Sequence, residues 1–327
     1  QTEHSINGGG LKYDYFSPNE KHRFNVFASA QHINRDSYYG GGQDLNAYGN
    51  TTDLNWMAGS QYVYSFGKCI FMPSDLTAGI EFNQDKLEDN MWGYHRTVDQ
   101  KVNIGSAFLQ NEWKNDHWGF LLGGRLDKHN LIDHIIFSPR ANLRFNPTQN
   151  INLRLSYSSG FRAPQAFDED MHIENVGGTV AMIERAKDLK EEKSQSFSAS
   201  ADMYHRFGAF QTNLLVEGFY TRLTDVFVLG EPFDRGDGVL VKIRSNGPGA
   251  KVMGLTLEGK IAYLSLLQIQ AGLTLQRSRY DEPHKWHDDA PAERKIFRTP
   301  DTYGYFTATY TPVKPLSIPL SGTYTGS

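Results

Sequence analysis

The chain has 327 residues, 33 Lys and Arg against 37 Asp and Glu, one cysteine and 13% aromatic residues. The near-balanced charge implies no polyanionic partner such as nucleic acid. Cys69 has no second cysteine for an internal disulfide. A mean hydropathy of -0.53, with no apolar run of about 18 residues, excludes a helical membrane protein. Those numbers leave open a soluble β-sandwich and a membrane β-barrel, whose lumen face and outer loops are polar.

In chain order, the pattern predicts strands separated alternately by short turns and long loops. The first is near Leu11–Phe16, then a turn at Ser17-Pro18-Asn19-Glu20 and a strand over His22–Asn34, with Phe24, Val26, Ala28 and Ala30 on one face. A Gly-, Tyr- and Asn-rich loop, Asp36–Thr52, precedes strands Asp53–Phe66 and Asp75–Leu87, which flank Gly67–Ser74. Loop Glu88–Gln100 leads to Lys101–Trp113 and Trp118–Lys128, then His134–Phe145 and Ile151–Ser159 flank Asn146–Asn150. Ser194–Arg206 and Phe210–Leu229 follow. Gly247-Pro248-Gly249 predicts a bulge or kink ahead of Val252–Tyr263. Leu267–Gln276, the charged loop Arg277–Thr299, Thr302–Thr311 and Ser317–Thr325 complete a count of about fourteen strands. Most are long enough to cross a bilayer at a tilt, and aromatics sit beside many short turns (Phe66, Trp113, Trp118, Phe145, Phe207, Phe210, Tyr263, Tyr310). The one helical signal is Val180–Asp188, where Val180, Ile183 and Ala186 share a face.

The stretch Ile151–Phe197 is the most informative. Ile151, Leu153, Leu155 and Tyr157 alternate with Asn152, Arg154, Ser156 and Ser158, so one face is apolar and the other polar. The run Gly160-Phe161-Arg162-Ala163-Pro164 and the later Leu189, Lys190, Glu192 and Ser194 together resemble the barrel domain of TonB-dependent outer-membrane receptors, especially those of Bacteroides-like bacteria. Glu191 stands where that family usually has Pro.

The resemblance implies an all-β, large, antiparallel, up-and-down transmembrane barrel in the bacterial outer membrane. Such a receptor has about 22 strands, so residues 1–327 are expected to be an internal segment of the barrel. The N-terminal QTEHSINGGG has no signal-peptide pattern. A plug domain, a TonB-contacting N-terminal region and further strands are expected outside the segment, with terminal strands that lack native partners inside it. The implied function is capture of a scarce nutrient (ferric siderophore, haem or cobalamin) at the outer loops, and its import with TonB-derived energy. Partners are then the TonB complex, the receptor's own plug, the nutrient and outer-membrane lipid, with no cofactor. The alternatives are a passive porin or sugar channel and, from another class, a β-rich hydrolase. No nucleophile elbow, phosphate loop or dinucleotide fingerprint signals catalysis.

The candidate ligand-binding residues are the loop aromatics Tyr38, Tyr39, Trp92, Tyr94 and Trp286 with His95, because amphipathic rings give contact area at low entropic cost. Arg162, a cation at a strand end, joins them; its other reading is a structural arginine paired with a barrel carboxylate. Asp168, Glu169, Asp170 and His172 offer an oxygen-rich cation site without calcium-loop spacing. His284-x-x-His287-Asp288-Asp289 lacks the glutamate of a zinc-protease helix.

Overall fold

The computed structural model describes residues 2–38, 48–92, 96–164, 181–234, 236, 240–285, 291–296 and 299–326. No helix in them is long and apolar enough to cross a membrane. The strands are β1 (Thr2–Phe16), β2 (His22–Tyr38), β3 (Tyr48–Cys69), β4 (Met72–Met91), β5 (Arg96–Lys114), β6 (Trp118–His129), β7 (Ile136–Thr148), β8 (Ile151–Arg162), β9 (Ala181–Arg185), β10 (Glu192–Phe207), β11 (Phe210–Thr224), β12 (Phe227–Leu229), β13 (Phe233–Asp234), β14 (Leu240–Asn246), β15 (Ala250–Tyr263), β16 (Leu267–His284), β17 (Glu293–Lys295), β18 (Thr302–Val313) and β19 (Leu316–Thr325). Fourteen of them form one antiparallel meander in the order β1 to β8, β10, β11, β15, β16, β18, β19, with β17 added to β16. Among the described residues β1 pairs only with β2, and β19 only with β18.

The alternation read in Ile151–Ser158 continues across the sheet through strand register. Phe120, Leu143, Leu155, Ala199, Gly218, Leu255 and Leu275 form one cross-strand row from β6 to β16. The adjacent row on the opposite face is Asn142, Ser156, Ser198, Phe219, Gly254 and Gln276. Phe219 lies over Gly254, where a Cβ would come within 2.6 Å of the ring, so only glycine lets the ring lie flat on this wall. Leu155, Leu255 and Leu275 are 54%, 42% and 47% exposed, whereas only nine hydrophobic residues among those described are buried. An apolar face left open over so many strands suits lipid rather than water.

Short turns lie at one end. Glu20, Ile70, Gly208 and Leu264 each take a left-handed conformation there, which closes tight connections. Aromatic rings line the same rim: Trp118 stacks on Phe145 at 4.1 Å, Phe71 on Trp113 at 5.7 Å, and Phe210 meets Phe207 at 5.3 Å and Tyr263 at 4.7 Å. This is the girdle arrangement of a membrane interface.

At the other end the strands run farther than the pattern predicts. β1 starts at Thr2, not Leu11, because Gly8, Gly9 and Gly10 pair with Gln31, Ala30 and Ser29. The loops expected at Asp36–Thr52, Glu88–Gln100 and Arg277–Thr299 shrink because β2, β3, β4, β5 and β16 extend into them. β7 begins at Ile136 rather than His134. The expected strand Phe210–Leu229 divides into β11 and β12. The kinked strand around Gly247-Pro248-Gly249 is instead two strands in different sheets.

The second sheet has the order β12-β14-β13, with β9 beside β14. β9 replaces the expected helix: Ile183 pairs in parallel with Lys242, so sheet hydrogen bonds from a distant segment override the local 3.6-residue pattern. Val180 is outside the described residues. Asn246 ties this sheet to the start of β10, accepting from Lys190 N at 2.8 Å and donating to Lys190 O at 3.1 Å and Asp225 O at 2.8 Å. Glu191 ties the start of β10 to the β6–β7 connection. Its side chain is 3% exposed and receives His134 Nε2 at 2.9 Å and Lys193 Nζ at 3.0 Å. Burial pushes this carboxyl up, but the hydrogen bonds from Lys193, its own backbone N–H and His134, with the Lys193 charge, hold it below the usual range.

Two outcomes test this arrangement. Leu155→Arg, on the apolar face, is expected to cost about 2–4 kcal/mol near the bilayer midplane, and Ser156→Arg, on the polar face, within about 1 kcal/mol. Equal losses in reversible unfolding from lipid vesicles would show that neither face meets lipid. A carboxyl with a depressed folded pKa contributes stability that is complete above its unfolded pKa and is lost as pH falls through the folded value. The melting-temperature gap between the native protein and Glu191→Gln should therefore be widest near neutral pH and close as the carboxylate range is crossed; a gap that does not change with pH would exclude the charged pair.

Candidate functional site

The polar wall is organised by ion pairs. Near the short turns, Asp75 receives Lys114 Nζ at 2.8 Å, Ser65 Oγ at 2.6 Å and Arg23 Nη2 at 3.4 Å. Closer to the loop end, Arg125 bridges Glu81 at 2.6 Å and Asp127 at 2.8 Å, and Ser106 donates to Asp127 at 2.6 Å. Glu81, Ser106 and Asp127 are cross-strand neighbours of β4, β5 and β6. The same guanidinium stands 5.9 Å above the Phe108 ring. These groups face a space that must be wet or filled by polar protein, since ions facing lipid would be costly.

The loop end of this wall carries the residues singled out in the sequence. The register of β8 and β10 sets Arg162 opposite Glu192, Phe161 opposite Lys193 and Gly160 opposite Ser194. The two halves of the recognised pattern, far apart in sequence, are thus direct cross-strand partners. Arg162 Nη2 is 3.6 Å from Glu192 Oε2, and its guanidinium lies 4.7 Å from the Phe227 ring centroid. Glu192 Oε2 also accepts the Phe227 N–H at 3.1 Å. Arg162 and Glu192 therefore clamp β12 of the small sheet to the barrel wall. Arg185, at the end of β9, donates to Pro164 O at 2.8 Å and holds the other side. Behind Arg162, Ala163 packs with Ile132, Ile136 and Phe161.

Among the aromatic candidates, Tyr38 closes β2 with its ring 4.5 Å from Tyr48 of β3. Trp92 follows β4 directly and is 59% exposed. Tyr48 lies next to Gly49, which pairs with Met91, so Tyr38, Tyr48 and Trp92 cluster at the tips of three adjacent strands. Arg162 is on β8, with β5, β6 and β7 between it and that group. Tyr39, Tyr94, His95, Trp286, Asp168, Glu169, Asp170 and His172 lie outside the described residues, as do His287, Asp288 and Asp289. Among the described residues no group of three or more His, Cys, Asp or Glu is placed to hold a metal ion.

The sequence did not point to His134, Lys193 or Phe227 as partners of this region. Glu192 carried a signal, as part of the recognised run, but the Phe227 ring is supplied by a segment 35 residues away and no local pattern marks it. His129 is fully buried at the end of β6, accepts the Leu131 N–H at 3.0 Å on Nδ1, and leaves Nε2 without a partner among the described residues.

A family model described as TonB dependent receptor-like, beta-barrel matches residues 2–327. Among curated proteins none matches the chain by sequence. Similar solved structures include the siderophore receptor PirA of Acinetobacter baumannii (TM-score 0.74, 14% identity, 98% of this chain and 50% of that one). The ferric-catecholate import receptor Fiu of E. coli is similar at TM-score 0.72 and 11% identity, over 99% of this chain and 54% of that one. The alcaligin outer-membrane receptor FauA of Bordetella pertussis is similar at TM-score 0.66 and 14% identity, over 99% and 51%. The chain thus spans about half the length of each of these structures. With an apolar outer face, a polar inner wall and a family match over nearly every residue, the chain belongs to the TonB-dependent receptor β-barrel family, whose members are outer-membrane proteins of Gram-negative bacteria.

Proposed function

We propose that residues 1–327 form the wall and part of the outer mouth of a receptor that captures a scarce nutrient of the ferric siderophore, haem or cobalamin class and imports it with TonB-derived energy. The observation that carries this reading is the run of fourteen strands with an ion-paired inner face and two edges unpaired among the described residues. Closing fourteen strands alone would make a narrower pore; pairing the edges of β1 and β19 with strands outside residues 1–327 widens it enough for a plug. The Asp75 and Arg125 networks offer that plug a charged, pre-organised surface. Family membership and the receptor character of the similar structures support transport over hydrolysis.

On this reading the loop end faces outward. The Arg162–Glu192–Phe227 clamp fixes the small sheet at the mouth, while Tyr38 and Trp92, at the strand tips of another sector, are proposed ligand contacts by their place at the mouth. Tyr39, Tyr94, His95 and Trp286 are proposed contacts by their loop positions, and Asp168, Glu169, Asp170 and His172 a proposed cation subsite. An epitope inserted within 39–47 or beside Lys285 is therefore expected to bind antibody on intact cells, and one inserted in 146–150 only after permeabilisation. Labelling of both in intact cells would overturn the orientation. Uptake of a ferric siderophore by cells carrying the whole receptor is expected to stop when a protonophore collapses the inner-membrane gradient; uptake that continues would identify a passive channel instead.

A further inference from the structure

The outward face of β11, β15 and β16 changes character abruptly toward the loop end. Its apolar rows are Val216, Leu257 and Leu273, then Gly218, Leu255 and Leu275. The next outward row is Tyr220, Met253 and Arg277, and the one after it is Arg222, Lys251 and Arg279. β17 sets Lys295 opposite Arg279. Five cations thus gather directly above the hydrocarbon-facing belt, three of them side by side in one cross-strand row. Like charges directly opposite one another destabilise a sheet. Among the described residues the carboxylates in contact with them are two: Asp281, 3.2 Å from Arg222 and 3.6 Å from Lys251, and Asp301, 3.4 Å from both Arg279 and Lys295. Arg277 makes no ion pair among the described residues. The patch therefore keeps excess positive charge.

Below the cations the apolar face is dented. Ala199 and Gly218 form the floor of a groove of about 1110 Å³, with Tyr157, Phe197, Tyr220 and Leu255 among its walls. A Cβ at Gly218 would meet nothing within 4 Å, so the floor is open. The groove runs along the lipid-facing surface, outside the polar wall that faces the nutrient path.

We infer that this sector is a binding site for a phosphate-bearing amphiphile of the outer leaflet, with its head on Arg222, Lys251, Arg277 and Arg279 and an acyl chain in the groove. The charge pattern selects that occupant. Guanidinium forks pair bidentately with phosphate oxygens, and an anion on the cationic row relieves the repulsion that the register creates. A neutral lipid fills the groove but leaves the row unneutralised. A free anion neutralises the row but gains nothing from the groove. Placement in the outer leaflet rests on the outward orientation of the loop end proposed above; binding itself does not depend on it.

The test uses the whole receptor in detergent, titrated in native mass spectrometry with phosphatidic acid, with diacylglycerol of the same chains, and with inorganic phosphate. The native protein is expected to hold phosphatidic acid about tenfold or more tightly than diacylglycerol, and inorganic phosphate is not expected to displace it. Lys251→Gln with Arg277→Gln should abolish the preference, and Lys251→Arg with Arg277→Lys should keep it. If the double glutamine variant does not fold into a barrel, Arg277→Gln alone decides, since no ion pair among the described residues is lost with it. Equal binding of the two lipids by the native protein, displacement by inorganic phosphate, or a preference that survives in the glutamine variant would overturn the site. Because these readouts involve neither uptake nor sidedness, their failure is distinguishable from failure of the transport reading.

Discussion

The structure depends on one constraint: in hydrocarbon, every backbone N–H and C=O must be satisfied by the protein itself. Among the described residues the twelve inner strands of the meander meet it by pairing on both sides, through connections that are mostly tight at one end. Once pairing is continuous, the two-residue period of each strand sorts side chains by face, and register makes the faces of separate strands coincide. Leu143, Leu155, Ala199 and Gly218 become one lipid-facing row only because four strands are aligned to the residue. A slip by one residue in any of them would carry charge into the lipid.

The sorting inverts the usual distribution of a protein core. Few apolar side chains are buried, and polar groups take over the organising role inside. On the inner wall the charge-assisted contacts of Asp75 reach β2, β3 and β5 from β4, and those of Arg125 join β6 to β4. Individually, partly exposed pairs of this kind contribute little. Their effect lies in joining strands already held by the ladder, and in presenting fixed charge to whatever fills the lumen.

At the loop end, function requires departure from the regular ladder. The small sheet forms from the segments after β8 and after β11, and its parallel β9–β14 pair has no counterpart in the meander. Arg162, Glu192 and Phe227 fasten it to the wall, with Asn246 as a further tie. The recognised sequence pattern is therefore a joint: it lets a long excursion leave the barrel and return in register.

The sequence by itself determined the all-β class, the assignment of faces where strands cross hydrocarbon, the short turns with their aromatic rim, and the family. Each follows from local information, since lipid on one side and polar contents on the other impose a strict alternation, as in Leu153 to Ser158. Beyond the membrane both faces of a strand meet water and the alternation lapses. For that reason Thr2–Gly10 and Arg35 fall outside the expected strands, and Asp36–Tyr38 and Ser278–His284 inside expected loops, although all are strand. Only the tertiary structure decided that Ala181–Arg185 is a strand rather than a helix, because its partner, Leu240–Arg244, is more than fifty residues away. It likewise decided the pairing of Arg162 with Glu192 and Phe227 and the cationic row of Arg222, Lys251 and Arg279, because cross-strand register, not sequence spacing, sets which charges stand side by side.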